Sequence, residues 1–232
     1  MTVALGVFLL GIYNASWLPF YVLGQFHWAN SLGDLITYQV SSYQYHDHLT
    51  ATHPYGSPWF SWPFLYRPVA YYFESTGLGT DAGSGQNLVA GMVNLGNPWI
   101  WWSSIPCVLL MPYFAIRERS YPAAFIALGF ITQYLPWAPI TRVLFLYHMF
   151  GGLIFMILAL AYVLARIAGG TIWVGLGGRM QRLRGSPVLV AWLAIAILFF
   201  IYFYPAWTGI PIGDNQYLGG FGTGRMWFLK WI

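Results

Sequence analysis

The chain has 232 residues, of which 58% are hydrophobic and 7% charged, against about 25% charged in an ordinary soluble domain. Several uncharged runs of about 18 to 25 residues are long enough to cross a hydrocarbon core of roughly 30 Å, which excludes a soluble globular domain and describes an all-α polytopic membrane protein. A formal charge of +4, dispersed along the chain, offers no patch for a nucleic acid, and a single cysteine, Cys107, excludes an internal disulfide.

Five spans are predicted, at about 3–23, 98–116, 121–140, 143–167 and 188–207. The first is interrupted by Asn14, Ser16 and Pro19, which neighbouring helices absorb where they face protein. It lacks a basic leader and a small-residue cleavage site, so it reads as a span rather than a signal peptide. Arg117-Glu118-Arg119 closes the second span, and a very short turn with Arg142 joins the third to the fourth. Of ten basic residues, six lie in the two connections after spans two and four (Arg117, Arg119, Arg166, Arg179, Arg182 and Arg184), whereas the long segment 25–97 holds only Arg67. The positive-inside rule then places the N-terminus and both arginine loops in the cytoplasm, with 25–97 and the C-terminal tail outside.

Within 25–97, Leu32, Leu35, Ile36, Val40 and Tyr43 recur at helical spacing, and Ser31 with Asp34 forms a capping-box pattern. A helix over about 32–51 along the membrane surface follows, ended by His53-Pro54. The apolar runs 69–73 and 88–93, on either side of a Gly/Ser/Thr-rich stretch, predict a hairpin.

His46-Asp47-His48 with His53 has the composition of a metal cluster, but two residues apart on a helix the side chains diverge by about 200°, and His46 and His53 are about 10 Å apart along the axis. No metal site is expected. Trp59, Trp62, Trp101 and Trp102 fit interfacial anchors. Fixed among prolines, Trp59 and Trp62 are also suited to wall a sugar or an isoprenoid chain. Arg67 and Arg142 stand outside the cytoplasmic basic set, near span ends. A guanidinium at that depth needs an anion, and it takes phosphate through two parallel hydrogen bonds. The competing readings are an ion pair with Asp47 or Glu74, or snorkelling to headgroups. His148 falls about six residues into the fourth span, where a bond to a neighbouring helix is the expectation. The six acids (Asp34, Asp47, Glu74, Asp81, Glu118 and Asp214) include no adjacent pair and no nucleophile with its base.

Several of these residue groups resemble one family. His53-Pro54-Tyr55-Gly56-Ser57-Pro58-Trp59 with Ser61-Trp62-Pro63 is similar to the luminal-loop signature of the protein O-mannosyltransferases, glycosyltransferase family 39. Gly96-Asn97-Pro98 with Trp101-Trp102 resembles the entry to that family's next span, and Tyr134-Leu135-Pro136-Trp137, Arg142, Phe145 and Tyr147-His148 resemble its next block. Arg225, Trp227-Phe228 and Trp231 resemble its ending. His148-Met149-Phe150-Gly151 departs from the Tyr-and-Pro continuation of many members.

The resemblance implies the C-terminal half of a GT-C fold, about five transmembrane helices with one long extracytoplasmic loop. It implies transfer of mannose from a polyprenyl-phosphate carrier to Ser or Thr of exported proteins, with polyprenyl-phosphate-mannose as donor and no cofactor. His53, Trp59, Trp62, Arg67 and Arg142 are the expected carrier-binding residues. The family's acidic pair lies upstream, in the N-terminal half of the same enzyme, so this chain alone is expected to be inactive. The segment 25–97 has no room for the extra soluble module of eukaryotic members, which implies a prokaryotic plasma membrane. Two rivals are a polyprenyl-phosphate sugar transferase acting on lipid or glycan, and a non-enzymatic subunit or transporter piece.

Overall fold

The computed structural model describes residues 8, 11–19, 32–176 and 179–231. The chain divides into two compact units, Met1–Thr50 and Ala51–Ile232. In the first, most of the expected first span and Ser31 of the capping box lie outside the described residues; what is described is helical at 11–15, with Ser16 bonding back to the Tyr13 carbonyl at 2.6 Å. Helix α1 covers Leu32–Asp47, short of the expected end at Ala51. The His48 amide and its Nδ1 both lie within bonding distance of the Gln44 carbonyl, at 3.1 and 2.7 Å, and close the last turn before Pro54 is reached.

The second unit carries the remaining helices: α2 Pro98–Arg117, α3 Tyr121–Tyr134, α4 Phe150–Gly169, α5 Gly185–Thr208 and the short α6 Asp214–Leu218. Asn97 caps α2 through its side-chain oxygen, at 3.1 Å from the Trp99 amide and 3.3 Å from that of Ile100. Among the described residues, three helical stretches are long and apolar enough to cross a membrane: Pro98–Arg117, Leu146–Gly169 and Gly185–Thr208. Two boundaries differ from expectation. The third span stops as an α-helix at Tyr134 and tightens into a 3-10 turn, Leu135–Trp137, because Pro136 has no N–H to continue the ladder. The fourth begins at Phe150 rather than Val143, and 138–145 form a non-helical loop. There the Leu144 carbonyl is taken at 2.8 Å by the Ser57 amide, a tertiary bond that replaces a helical one.

The expected hairpin is present. β1 Ala70–Glu74 pairs antiparallel with β2 Leu88–Val93, and the pair of residues Ile212–Gly213, β5, extends the sheet on the β2 side. An unexpected second hairpin joins β3 Thr171–Leu176 to β4 Arg179–Arg184 within the Gly-rich basic connection. Its signal was available: Thr171-Ile-Trp-Val-Gly-Leu176 is a strand-prone run, and the Gly-Gly pair that follows it is a two-residue turn signal.

Helices α2, α3 and α4 pack on one another, and α5 packs on α4 and along β2. With no aqueous hydrophobic drive between spans, close approach of small residues does the packing. Gly129 shows it: a Cβ there would sit 2.1 Å from the Phe155 ring of α4. At one end of these helices Arg166 pairs bidentately with Glu118, at 2.5 and 3.1 Å, beside the two arginine connections. At the other end gather the 3-10 turn Trp59–Phe64, the sheet, the loop 138–145 and the tail.

Candidate anion site at the loop end

Trp62 anchors this end. It is wholly buried in the core with Leu65, Trp101, Leu146, Phe203 and Trp231. Its carbonyl accepts from the Trp101 indole N–H at 3.2 Å, its ring stacks on His148 at 5.9 Å and 15°, and its own N–H donates to Ser57 Oγ at 3.0 Å. Pro58 in an extended conformation starts the 3-10 turn, and Leu65 in the left-handed region ends it. The Trp231 indole then donates to the Leu65 carbonyl at 2.7 Å, which ties the tail to the turn.

Against this floor the loop 138–145 closes a cleft of about 310 Å³, lined by Gly56, Ser57, Pro58 and Trp59 on one side and by Ile140 to Leu144 on the other. Gly56 suits the close approach: a Cβ there would lie 3.0 Å from Val143 Cγ2 and 3.1 Å from the His53 carbonyl. Trp59 is half-buried, set edge-on to Tyr134 at 5.2 Å, and its carbonyl accepts from the Tyr134 hydroxyl at 3.0 Å. Arg142 is half-buried in the cleft and makes no hydrogen bond or ion pair among the described residues. A guanidinium without an anion in a cleft walled by backbone and aromatic carbon is the arrangement expected of a phosphate or carboxylate receptor.

The expected site residues thus separate. Arg142 and Trp59 share the cleft; His53, Trp62 and Arg67 do not line it. Trp62 is too deep to touch a ligand. His53 is exposed, accepts the Tyr55 amide at 3.1 Å and meets Phe145 edge-on. Arg67 donates to the Pro54 carbonyl at 3.2 Å and the Lys230 carbonyl at 2.7 Å, with its charge 5.0 Å above the Tyr55 ring. It clasps the signature loop to the tail. His148 stands in the 3-10 turn Leu146–Met149 that opens the fourth span, rather than about six residues into it, with Nδ1 3.0 Å from the Phe145 amide. Trp101 is a core residue rather than an interfacial anchor. Ser57, which sequence reasoning did not single out, is both buried and in the cleft wall. A second, apolar cavity of about 160 Å³ lies beyond Tyr55, against Tyr72, Phe73, Tyr217 and Trp231, and offers no positive charge.

Two carboxylates outside the helices are engaged locally. Glu74 accepts from the Thr76 hydroxyl and the Thr76 and Ser75 amides at 2.6, 2.9 and 3.0 Å, and the Thr76 hydroxyl bond is the chief cause of a pKa below the usual carboxylate range. Asp81 is lowered in the same way, first by the Ser84 hydroxyl. A depressed folded-state pKa stabilises the turn above the unfolded value and loses that contribution as pH falls through the folded one. Protection of the Thr76 amide against exchange is therefore expected to persist at neutral pH and to drop once pH falls below about 4, and protection unchanged to pH 2 would contradict the assignment.

The chain matches the family model for the C-terminal four TMM region of protein-O-mannosyltransferase over residues 31–231. It is 31% identical to the polyprenol-phosphate-mannose–protein mannosyltransferase of Corynebacterium glutamicum, over 87% of this chain and 37% of that protein. It is 25% identical to the protein of the same name from Mycobacterium tuberculosis, over 98% of this chain and 46% of that one. The chain thus spans less than half the length of these curated relatives. The structure of the Saccharomyces cerevisiae protein O-mannosyltransferase Pmt1-Pmt2 complex bound to the sugar donor superposes with a TM-score of 0.56, at 23% identity, over 78% of this chain and 25% of that one. At that identity the likeness is one of fold.

Proposed function

The chain belongs to the protein O-mannosyltransferase family, and from that premise we propose that it forms the carrier-binding, acceptor-facing part of an inverting transferase. The complete enzyme moves mannose from polyprenyl-phosphate-mannose to Ser or Thr hydroxyls of exported proteins. The observation that supports this reading is Arg142, half-buried and free of any ion pair among the described residues, in the cleft against Gly56–Trp59. As the acceptor oxygen bonds to the anomeric carbon, the bond from that carbon to the carrier phosphate breaks and the phosphate gains charge. A fixed guanidinium stabilises that charge where it develops. Trp59 offers a wall for the first isoprene units or the sugar, and Arg67 holds the loop in place through Pro54 and Lys230.

The acceptor proton needs a base. None of the chain's six carboxylates lines the cleft, so the base is assigned to the N-terminal half of the same enzyme. The reaction is tested by supplying the complete enzyme with polyprenyl-phosphate-mannose and a Ser/Thr peptide. Mannosylated peptide is expected; transfer to a lipid or glycan with the peptide untouched would overturn the protein-acceptor assignment.

The cleft is assigned to the extracytoplasmic side of the membrane, because six of ten basic residues gather at the opposite end. Cysteines placed at exposed Gly83 and Tyr121, in an otherwise cysteine-free protein, are expected to react with an impermeant reagent from outside at Gly83 only. Labelling of both from outside would reverse the orientation.

A further inference from the structure

We propose that the Ser57 hydroxyl is a second donor to the anion held by Arg142, and that Trp62 is the positioning residue that aims it. The inference rests on the carrier-phosphate reading of the cleft; it adds Ser57 as a donor and gives Trp62, expected from the sequence to touch the carrier, an indirect role instead.

Ser57 is 5% exposed and lies in the wall of the cleft that contains Arg142. Its amide is committed to the Leu144 carbonyl at 2.8 Å, which fixes the backbone against the Arg142 loop. Its Oγ is 3.0 Å from the Trp62 indole nitrogen. An indole N–H only donates, so Ser57 Oγ is the acceptor in that bond and its own proton stays unassigned. Among the described residues the hydroxyl donates to nothing. A buried donor left unmade is unfavourable, and because Ser57 lines the cleft a ligand bound there could complete it. The ligand must therefore accept hydrogen bonds and, beside a guanidinium, carry negative charge. A phosphate monoester at the end of a lipid chain meets both demands, with one oxygen for Ser57 and two for the guanidinium fork.

Trp62 cannot touch that ligand, since it is wholly buried. Its orientation is fixed from three sides: by Trp101 on its carbonyl, by His148 stacked on its face and by Trp137 edge-on at 6.0 Å. A ring so held gives the serine oxygen one geometry. Donation from the indole also polarises the hydroxyl, so that its proton is a better donor.

The test measures the dissociation constant of farnesyl phosphate, with farnesol and inorganic phosphate as controls, for the complete enzyme in detergent. Ser57→Ala is expected to weaken farnesyl phosphate about tenfold per folded molecule and to leave farnesol unchanged, and it lowers the thermal midpoint as well because it orphans the buried Trp62 N–H. Trp62→Phe keeps an aromatic ring but removes the N–H, and should weaken the same ligand several-fold. Because both act on one hydroxyl, the double variant should bind no more weakly than Ser57→Ala alone, whereas independent effects would add. Parent-like binding by Ser57→Ala would overturn the proposal even if Arg142→Gln binds poorly. Additive losses would remove Trp62 from it. If Arg142→Gln binds normally while Ser57→Ala does not, the Arg142 assignment fails and the serine one stands. Equal competition by inorganic phosphate would overturn the carrier as the source of the anion.

Discussion

Arg142→Gln is expected to weaken binding of a polyprenyl phosphate by about ten- to a hundredfold while leaving the thermal midpoint of the protein close to that of the parent. A hydrogen bond to a charged group is worth about 1.5 to 3 kcal/mol, and about 1.4 kcal/mol is one decade in affinity. Because Arg142 has no hydrogen bond or ion pair among the described residues, its replacement breaks no internal polar contact. Arg67→Gln is expected to do the reverse. It removes the clasp to the Pro54 and Lys230 carbonyls, so the midpoint should fall and affinity per folded molecule should change little. Arg142→Lys should recover only part of the lost affinity, because a point charge does not reproduce a two-pronged donor. Measuring midpoint and phosphate affinity on all three variants decides the matter. Parent-like affinity in Arg142→Gln would end the phosphate assignment.

The largest loss of stability is expected from Trp62→Ala, at about 3 to 5 kcal/mol, the range for emptying a buried aromatic site. Trp62 is wholly buried, and its ring meets Tyr134, Trp137 and His148, residues from α3, the turn that follows it and the entry to α4. Its removal opens a cavity between these elements, and it leaves the Trp101 indole aimed at a relaxed carbonyl. Denaturant titration in detergent should show the shift, with the Trp62→Phe loss clearly smaller. A Trp62→Ala protein as stable as the parent would mean that this end of the bundle is held by the helices alone. The comparison with Gly129 is useful here. A side chain added at Gly129 forces α3 off the Phe155 ring without touching the cleft, so it should lower stability and leave phosphate affinity per folded molecule in place.

Part of this molecule was legible one residue at a time. The uncharged runs marked α2, α4 and α5 to within a few residues at most ends, because a hydrocarbon solvent permits few other arrangements of a buried backbone. Apolar runs on either side of a Gly/Ser/Thr-rich stretch marked β1 and β2. The arginine asymmetry placed six bases at one end of the bundle and left Arg67 and Arg142 at the other. Composition and short motifs carry this information because it depends on solvent and on neighbours along the chain.

The roles of those two arginines came from elsewhere. Both are lone bases near span ends, and nothing local separates them; the fold gives one to the Pro54 and Lys230 carbonyls and leaves the other in a cleft. Helix entry at Phe150 rather than Val143 likewise depends on a bond from Ser57 to Leu144, between residues far apart in the chain. Trp62 has the sequence context of an interfacial ligand stacker and is instead the buried donor behind Ser57. By itself the sequence determined the membrane character, the three long apolar helices and the family signature, since each is a property of local composition. The tertiary structure alone decided which polar groups would be satisfied internally and which would be left facing a cleft, because a hydrogen-bond partner is a matter of position in space.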